Sequence, residues 1–467
     1  MAETIDVTQV INRQPVSRFL IGVVGLCLLV TLVDGYNITV VSFAAPAIVK
    51  AWHLNRAALG PLFSSSLVAG LIGPFLFGAL GDRAGRRTAM IVSTVIIGVF
   101  GVASGYCSSL IPLIVIRFLA GIGMSGALAV TVATVSEFAP RRLRATFVII
   151  VFSGTTIGSG LPGILAPPLL QHYGWPTLFI LGGIVPLLLA AGVAQFLPES
   201  PKFLCLKPQR RAELRSVLGR LDPHLSAPTD AQYLLGEEAV APGRRSASPL
   251  RLFGGKLAVL TPLLWVGSFL AMVVFHSFNT WLPTLLTDSG VSFSRAALAV
   301  ALFQFVGTVG GWVTMRPVDR FGMIPCTVLY VLSIPLVLAL GLPGNSQAIV
   351  LFLIPIAGFC VLGLHFAQVS CVSSIYPTAV RGFGVGWFML FARAGGAIGP
   401  SLVGILVGRH YPMSTLFDLA AIPLGIGTVA SVAVTWLYHT HYHRPPDTLG
   451  ALPLRPAGPT PDPAHHG

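Results

Sequence analysis

An aspartate and an asparagine, Asp34 and Asn37, interrupt a long apolar stretch near the start of the chain, residues 22–41. A carboxylate within a bilayer costs several kcal/mol unless it is neutralised, paired or hydrated, so such residues usually serve a function. At about 1.5 Å of rise per residue, Asp34 would lie about 18 Å along a helix from Gly22, near the middle of a membrane. Residues three apart share a helix face. The pattern therefore predicts a pathway in which Asp34 binds a proton and Asn37 hydrogen-bonds a solute or Asp34. The alternative is a structural ion pair between Asp34 and a buried arginine.

Two arginines, Arg117 and Arg393, are the basic residues that also fall inside apolar stretches. A guanidinium can bind a carboxylate through two parallel hydrogen bonds and keeps its charge. Small residues flank both arginines and allow close helix approach. Arg117 is a candidate partner of Asp34, and either arginine could instead be purely structural.

A second polar group lies further along the chain. His276 and His365 fall inside apolar stretches, and Asn279 and Trp281 lie just before Pro283. A lone histidine in a helix is more often a hydrogen-bonded core residue than a ligand. These four residues are secondary candidates for lining a solute pathway, with an amide and an aromatic wall.

The elements that would hold these residues are membrane helices. Of 467 residues, 54% are hydrophobic and 10% are charged, and the mean hydropathy is +0.81. Soluble domains carry about 25% charged residues, so the composition indicates a polytopic membrane protein. Stretches of membrane-spanning length predict an all-α protein with twelve spans, near 17–43, 58–81, 88–108, 110–138, 145–170, 176–197, 257–286, 293–316, 323–343, 348–375, 382–408 and 414–439.

The positive charges are distributed unequally between the two sets of loops. One set, together with both tails and the adjoining helix ends, holds 23 Lys and Arg, whereas the opposite set holds four. Because basic residues are retained on the cytoplasmic side, both termini are expected there. The net charge of +13 is thus a topology signal and does not indicate nucleic-acid binding.

The spans divide into two groups of six. We expect a cytoplasmic tail over 1–16, a first bundle over 17–197, a central cytoplasmic loop over 198–256, a second bundle over 257–440 and a disordered tail over 441–467. In the loop, the leucines, valine and arginines of 208–222 predict a short amphipathic helix on the membrane surface, followed by a linker over 223–250.

Internal repetition relates the two bundles. Three features recur at one constant spacing along the chain: Asp82-Arg83-x-Gly85 as Asp319-Arg320-x-Gly322, Pro140-x3-Arg144 as Pro377-x3-Arg381, and Gly158 as Gly395. A single spacing that joins separate loops indicates two parallel six-helix repeats, with a solute site at mid-depth between them.

The loop between spans 2 and 3 carries the sequence Gly78-Ala-Leu-Gly-Asp82-Arg83-Ala-Gly-Arg-Arg87. Its glycines permit a tight turn, and this form resembles the signature of the major facilitator superfamily. The resemblance implies a gating role for the loop and for its degenerate second copy. The candidate gating residues are Gly78, Asp82, Arg83, Arg87, Glu137, Arg144, Asp319, Arg320 and Arg381, with Glu137 and Arg144 as expected partners of Asp82.

Further segments resemble the aromatic acid:proton symporters within that superfamily. They are Asp34-Gly-Tyr36-Asn37, the stretch from Trp281 to Leu286, and residues 376–400, which include Arg393. Asn37 stands where that family has a second aspartate, which leaves one titratable group in the motif. We expect Asp34 and Arg117 to act in proton coupling. Arg393 is the first choice for binding a substrate carboxylate, because a segment that resembles this family contains it. The other candidates for substrate binding are Asn37, Tyr36, Asn279, Trp281, His276 and His365.

The resulting expectation is a secondary transporter that imports a small, hydroxybenzoate-like carboxylate with protons by alternating access. It would act in the inner membrane of a bacterium, as a monomer, without a cofactor or metal, and would not be an enzyme. The alternatives are another organic acid or sugar-like solute, efflux of a drug or metabolite, or a non-transporting sensor. No Gly-x4-Gly-Lys-Ser/Thr loop is present, which disfavours ATP-driven transport.

Overall fold

The computed structural model describes residues 4–222, 232–236, 252–255, 257–342, 344–376 and 380–441. The described residues leave out most of the predicted linker and the tail after His441. They also leave out Pro377 of the repeated Pro-x3-Arg feature.

Helices dominate the described chain, and twelve candidate spans confirm the predicted count. The helices of the first half are α1 (Val7–Arg13), α2 (Arg18–Trp52), α3 (Leu59–Ala69), α4 (Gly73–Ala84), α5 (Arg86–Gly105), α6 (Leu110–Phe138), α7 (Arg144–Tyr173) and α8 (Pro176–Phe196). The central loop carries α9 (Pro201–Cys205) and α10 (Arg211–Leu221). The second half contains α11 (Leu257–Asp288), α12 (Phe293–Phe321), α13 (Ile324–Gly341), α14 (Gln347–Ile375), α15 (Arg381–Gly408) and α16 (Met413–His441).

Two spans depart from the predicted outline. The helix α2 continues to Trp52, beyond the predicted end near residue 43, because Pro46 and Lys50 are accommodated without a break. The second span is divided into α3 and α4 at residues 70–72, where backbone hydrogen bonds tighten to a three-residue spacing. Glycines on both sides of this break weaken the continuous helix.

Close helix contacts repeat between the halves. A Cβ at Gly158 would overlap the carbonyl oxygen of Leu32, and one at Gly395 would overlap that of Phe269. Gly395 corresponds to Gly158, and Phe269 corresponds to Leu32. Both correspondences have the same spacing along the chain as the two copies of the Asp-Arg motif. Two further sets of contacts obey this spacing: Gly121 against Ser66 with Gly358 against Phe303, and Gly73 against Ile122 with Gly310 against Phe359. Equivalent backbone approaches at one spacing show that the halves are structural repeats.

The N-terminal segment is ordered against the central loop. A short strand β1 (Thr4–Asp6) pairs in parallel with β2 (Gln232–Leu234), and the Asp6 carboxylate accepts a hydrogen bond from Gly236 N at 3.1 Å. Helix α10 confirms the predicted helix, with Leu214, Val217, Leu218 and Leu221 buried. These side chains belong to the same buried cluster as Val7 and Ile11 of α1. The expected contact of this face with lipid is therefore wrong, because the N-terminal segment covers it.

We call the end of the bundle where α2 begins the tail end, and the opposite end the distal end. Several contacts join the halves at the distal end. Arg56 forms an ion pair of 2.6 Å with Asp288, and the Ser64 and Ser401 hydroxyls lie 2.8 Å apart. The Phe63 and Trp281 rings meet edge to face at 5.2 Å. These contacts close the distal side of the space between the halves.

Candidate functional site

A cavity of about 170 Å³ lies between the two halves at mid-depth. The first half contributes α2, α3, α6 and α7, and the second half contributes α11, α12, α14 and α15. Its polar lining includes Asp34, Ser66, Thr155, His276, Asn279, Gln304, His365 and Arg393, and its apolar lining includes Phe152, Met272, Phe275, Leu362 and Met389. A small molecule with a polar edge and an apolar face fits such a lining.

Asp34 is held on the cavity wall by α2. Ile38 lies one turn further and also lines the cavity, so this stripe of α2 faces the second half. The Asp34 side chain is 1% exposed, and its Oδ1 atom has no hydrogen-bond partner within the described protein. A buried carboxylate without a partner is poised to take up a proton or to bind an approaching donor.

Arg393 reaches the same cavity from α15. Its Nη1 atom lies beside the break in the second span, 3.0 Å from where a Cβ at Gly70 would stand. Arg393 and Asp34 carry opposite charges and line the same cavity, so they attract each other across it. Within the described residues, neither a hydrogen bond nor a direct ion pair occupies its guanidinium. The group is therefore available to a negatively charged ligand.

Four further polar side chains of the second half line the cavity. Nδ1 of His276, Oδ1 of Asn279, Oε1 of Gln304 and Nδ1 of His365 are buried without a hydrogen-bond partner among the described residues. Buried polar atoms in folded proteins are nearly always paired, so unpaired ones among the lining residues make this cavity the candidate ligand site.

Asn37 and Tyr36 do not line this cavity. At about 100° of turn per residue, Asn37 is rotated by about 60° from Asp34. Its Nδ2 atom donates to the carbonyl oxygens of Val33 and Gly182, at 3.1 and 2.8 Å. The Tyr36 hydroxyl donates to the Leu178 carbonyl at 3.0 Å. Both side chains thus fasten α2 to α8, behind the cavity wall.

Arg117 lies in the same layer behind the wall. It is fully buried, donates to the backbone carbonyl of Asn37, and its guanidinium carbon lies 5.7 Å from the centre of the Phe179 ring. Arg393, rather than Arg117, is the arginine that shares a cavity with Asp34.

Trp281 also lies outside the cavity lining and takes part in the distal closure. Its Nε1 atom donates to the Pro400 carbonyl at 2.9 Å, while the ring packs on Phe63 of the first half. The tryptophan therefore joins α11 to α15 and α3 on the distal side of the cavity.

The loop that follows α4 carries an ion-pair network at the tail end. Arg86 contacts Asp82 at 2.9 Å and Glu137 at 3.0 Å. Glu137 was expected as a partner of Asp82, and Arg86 links the two carboxylates. The backbone N–H of Arg87 donates to Glu199 at 3.1 Å, and its guanidinium donates to the Ala194 carbonyl. The Asp82 side chain remains 69% exposed.

The remaining gating candidates also lie at the tail end. Asp319 and Arg320 are exposed, and the Arg320 guanidinium carbon lies 5.2 Å from the centre of the Phe321 ring. Arg381 donates to the Tyr376 carbonyl at 3.2 Å. Arg83 is exposed, Arg144 begins α7, and a Cβ at Gly78 would meet open space.

Gln304 and Thr155 line the cavity although sequence reasoning did not single them out. Gln304 is 1% exposed, and the Thr155 hydroxyl has no partner within the described chain. An uncharged polar residue in an apolar helix is a weak signal by itself, because its direction depends on how the helices are rotated. Among the described residues, no group of three His, Cys, Asp or Glu side chains is placed to hold a metal ion.

Comparison with known proteins decides the family. The family model described as Major Facilitator Superfamily matches residues 27–400. The chain belongs to the Major Facilitator Superfamily. This membership confirms the resemblance drawn from the Asp82 loop, and it places the protein among multi-pass membrane transporters rather than enzymes.

Curated relatives of similar length carry the names of aromatic acid transporters. The chain is 32% identical to the 4-hydroxybenzoate transporter PcaK of Pseudomonas putida, over 94% of this chain and 98% of that protein. It is 30% identical to the gallate transporter of Pseudomonas putida, over 92% of this chain and 95% of that protein. It is also 26% identical to the benzoate transport protein of Acinetobacter baylyi, over 92% of each chain.

Solved structures share the fold at low identity. The proton:xylose symporter XylE, bound to 6-bromo-6-deoxy-D-glucose, superposes with a TM-score of 0.66 at 17% identity, over 91% of this chain and 96% of that chain. A bacterial homologue of the human lysosomal transporter Spinster gives a TM-score of 0.67 at 17% identity, over 91% and 97%. These likenesses confirm the fold of twelve helices.

Proposed function

We propose that this protein imports a small aromatic carboxylate together with a proton, through alternating access of the cavity between its two halves. The observation that carries the proposal is the cavity itself. It combines an arginine with no hydrogen-bond partner in the described chain, a buried carboxylate and a wall of aromatic and methionine side chains. The names of the relatives, which include hydroxybenzoate, gallate and benzoate transporters, support the same class of substrate.

Arg393 is assigned to the substrate carboxylate. A guanidinium binds a carboxylate in a planar, two-point arrangement, and low-dielectric surroundings strengthen that interaction. Phe152 and Phe275 line the same cavity. Their rings offer the apolar surface against which an aromatic ring can pack at an offset or edge to face.

Asp34 is assigned to the proton. In its charged form, Asp34 competes with the substrate for Arg393, because opposite charges that line one cavity attract each other. Protonation removes that competition and releases Arg393 for the substrate anion. Proton and anion then occupy the cavity together, which couples their movement without a second carboxylate at position 37.

Asn37, Tyr36 and Arg117 are assigned positioning roles. Their hydrogen bonds fix the rotation and height of α2 against the helices behind it. Because Asp34 lies within one turn of these contacts, they set the direction of its carboxylate. His276 and His365 are assigned to the polar wall of the substrate site.

The gating assignment follows from the two ends of the bundle. The ion pair of Arg56 with Asp288 and the packing of Trp281 on Phe63 hold the distal end closed. At the tail end, the open space beside Gly78 is proposed to receive the second half when that end closes. The exposed Asp82, Asp319 and Arg320 would then exchange partners.

The proposed setting is a bacterial inner membrane with both termini in the cytoplasm. The excess of basic residues at the tail end supports this orientation. In this orientation the described conformation is closed to the outside.

Transport by purified protein in liposomes tests the function. Labelled 4-hydroxybenzoate should accumulate when the lumen is made alkaline, and unlabelled benzoate and gallate should compete. Xylose, an aliphatic dicarboxylate and a hydrophobic cation serve as the contrasting panel. Competition only by members of that panel, or movement of the substrate out against an inward proton gradient, would replace this proposal with another cargo or with efflux.

A further inference from the structure

Two amide side chains, those of Asn279 and Gln304, belong to the cavity lining. Each side chain is 1% exposed, and both line the cavity. Neither amide group makes a hydrogen bond within the described residues, and Oδ1 of Asn279 and Oε1 of Gln304 are buried without partners. An amide offers both a donor and an acceptor, and an amide oxygen left buried and unpaired is costly. The pair is therefore a site for a small polar group that a ligand brings.

Helix geometry places these amides nearer the distal end than Arg393. At about 1.5 Å of rise per residue, Asn279 lies about 13 Å from the distal end of α11 and Gln304 about 16 Å from the distal end of α12. Arg393 lies about 22 Å from the distal end of α15. The amides thus lie at the closed end of the cavity, and the arginine lies on the tail side of them.

The amides and Arg393, which lie at two levels along the cavity, differ in the chemical group that they can bind. Arg393 attracts an anion, whereas a neutral amide pair matches a group that can donate and accept at once. Between the levels, the apolar wall includes Phe275, whose ring is held nearly parallel to Phe303 at 6.2 Å. A ring with a carboxylate at one edge and a hydroxyl at the opposite edge fits all three zones.

The geometry points to Asn279 and Gln304 as the residues that select a ring hydroxyl on the side of the substrate opposite its carboxylate. This inference rests on the proposed function, because it takes Arg393 as the carboxylate site. A site built to hydrogen-bond a hydroxyl discriminates against an analogue that lacks it, since the amides are then left unpaired.

Ligand series on the unaltered protein provide the first test. Inhibition of labelled 4-hydroxybenzoate uptake by four unlabelled acids gives their relative affinities. The expected order places 4-hydroxybenzoate first, about ten-fold tighter than benzoate, with 2-hydroxybenzoate and 4-methoxybenzoate close to benzoate. Equal affinity for 4-hydroxybenzoate and benzoate would overturn the inference while leaving the transport of aromatic acids intact. No inhibition by any of the four would instead contradict the proposed function.

Substitutions locate the effect. Gln304→Met and Asn279→Leu should each lower the preference for 4-hydroxybenzoate over benzoate by about ten-fold. Gln368→Met is the matched control, since Gln368 is also buried with a free Oε1 atom, donates to the Tyr330 hydroxyl at 3.0 Å, and lies outside the cavity lining. Its ratio should equal that of the unaltered protein.

Both affinities in each ratio, that for 4-hydroxybenzoate and that for benzoate, are measured on one preparation of one variant. A lower yield of folded protein therefore does not alter the ratio. An unchanged ratio in both variants would overturn the assignment of Asn279 and Gln304. If neither variant accumulates in the membrane, the order of affinities measured on the unaltered protein still tests the inference. The inference requires 4-hydroxybenzoate to bind more tightly than 2-hydroxybenzoate.

Discussion

Asp34 and Arg393 line one cavity from opposite halves, and no direct ion pair joins them in the described part of the chain. This relationship joins the two roles that a coupled carrier needs. A proton on Asp34 changes how strongly Arg393 is engaged, and an anion on Arg393 changes how readily Asp34 keeps its proton. Such linkage is reciprocal by thermodynamic necessity.

Replacement of Arg393 tests the anion site. Arg393→Met should raise the half-saturating substrate concentration about ten- to one-hundred-fold, because hydrogen bonds to a charged group contribute about 1.5–3 kcal/mol. Arg393→Lys keeps the charge but loses the two-point geometry. Its half-saturating concentration should therefore lie between those of the unaltered protein and Arg393→Met. Counterflow measured over a range of substrate concentrations gives these values.

Arg409→Lys provides the matched control, since Arg409 is an exposed residue at the distal end of α15. Its half-saturating concentration should be unaltered. An Arg393→Met variant with unaltered half-saturation would remove Arg393 from the binding site.

The ion pair between Arg56 and Asp288 is predicted to favour the distally closed state. The partners are 50% and 29% exposed, so the pair should contribute at most about 1 kcal/mol. Asp288→Asn should therefore shift the conformational equilibrium by up to about five-fold toward distal opening. The rate at which a membrane-impermeant thiol reagent labels Ser401→Cys, in a background without the native cysteines, reports this shift.

Exchange of the two charges distinguishes the ion pair from the individual side chains. The double variant Arg56→Asp with Asp288→Arg should restore slow labelling, and high salt should reduce the difference between the variants. Equal labelling rates in the single variant and the parent protein would show that the pair does not hold the closed state.

Glycine contacts at equivalent places in the two halves are predicted to stabilise the fold. Gly158→Ala and Gly395→Ala would force a Cβ into the carbonyl oxygens of Leu32 and Phe269. Overpacking typically costs about 1–3 kcal/mol, so both variants should melt at lower temperature in detergent.

Gly192 provides the matched comparison for these glycines. Gly192→Ala places its Cβ in open space on the helix α8, and alanine favours helix by up to about 1 kcal/mol. Its melting temperature should be equal or higher. If all three variants melt alike, close backbone approach does not limit stability at these positions.

Much of the architecture follows from the sequence because lipid imposes it. An apolar helix must be about 20 residues long to cross a bilayer, so length and hydropathy predict twelve spans. The constant spacing between the repeated motifs also predicts the two halves, and the contacts of Gly158 and Gly395 confirm them. The cost of burying a charge in a membrane likewise identifies Asp34 and Arg393 as candidate site residues from the sequence.

The direction of the uncharged polar residues does not follow from the sequence. Asn37 and Gln304 are both amides in apolar helices, yet Asn37 binds the backbone of α8 while Gln304 lines the cavity. A rotation of some tens of degrees decides between these outcomes, and packing against neighbouring helices sets it. The pairing of β1 with β2 was also not predicted, since it joins segments that lie far apart along the chain.

The role of Asp34 is tested most directly by comparing gradient-driven accumulation with exchange in Asp34→Asn. Asparagine keeps the size of the side chain but cannot carry a proton between the two sides of the membrane. Asp418→Asn is the control, because Asp418 is an exposed residue of α16 outside the cavity lining. In liposomes with an alkaline lumen, the parent and the control should accumulate labelled 4-hydroxybenzoate at least ten-fold above the Asp34→Asn variant. That variant should still exchange internal for external substrate. Undiminished accumulation by Asp34→Asn would contradict the assignment of the transported proton to Asp34.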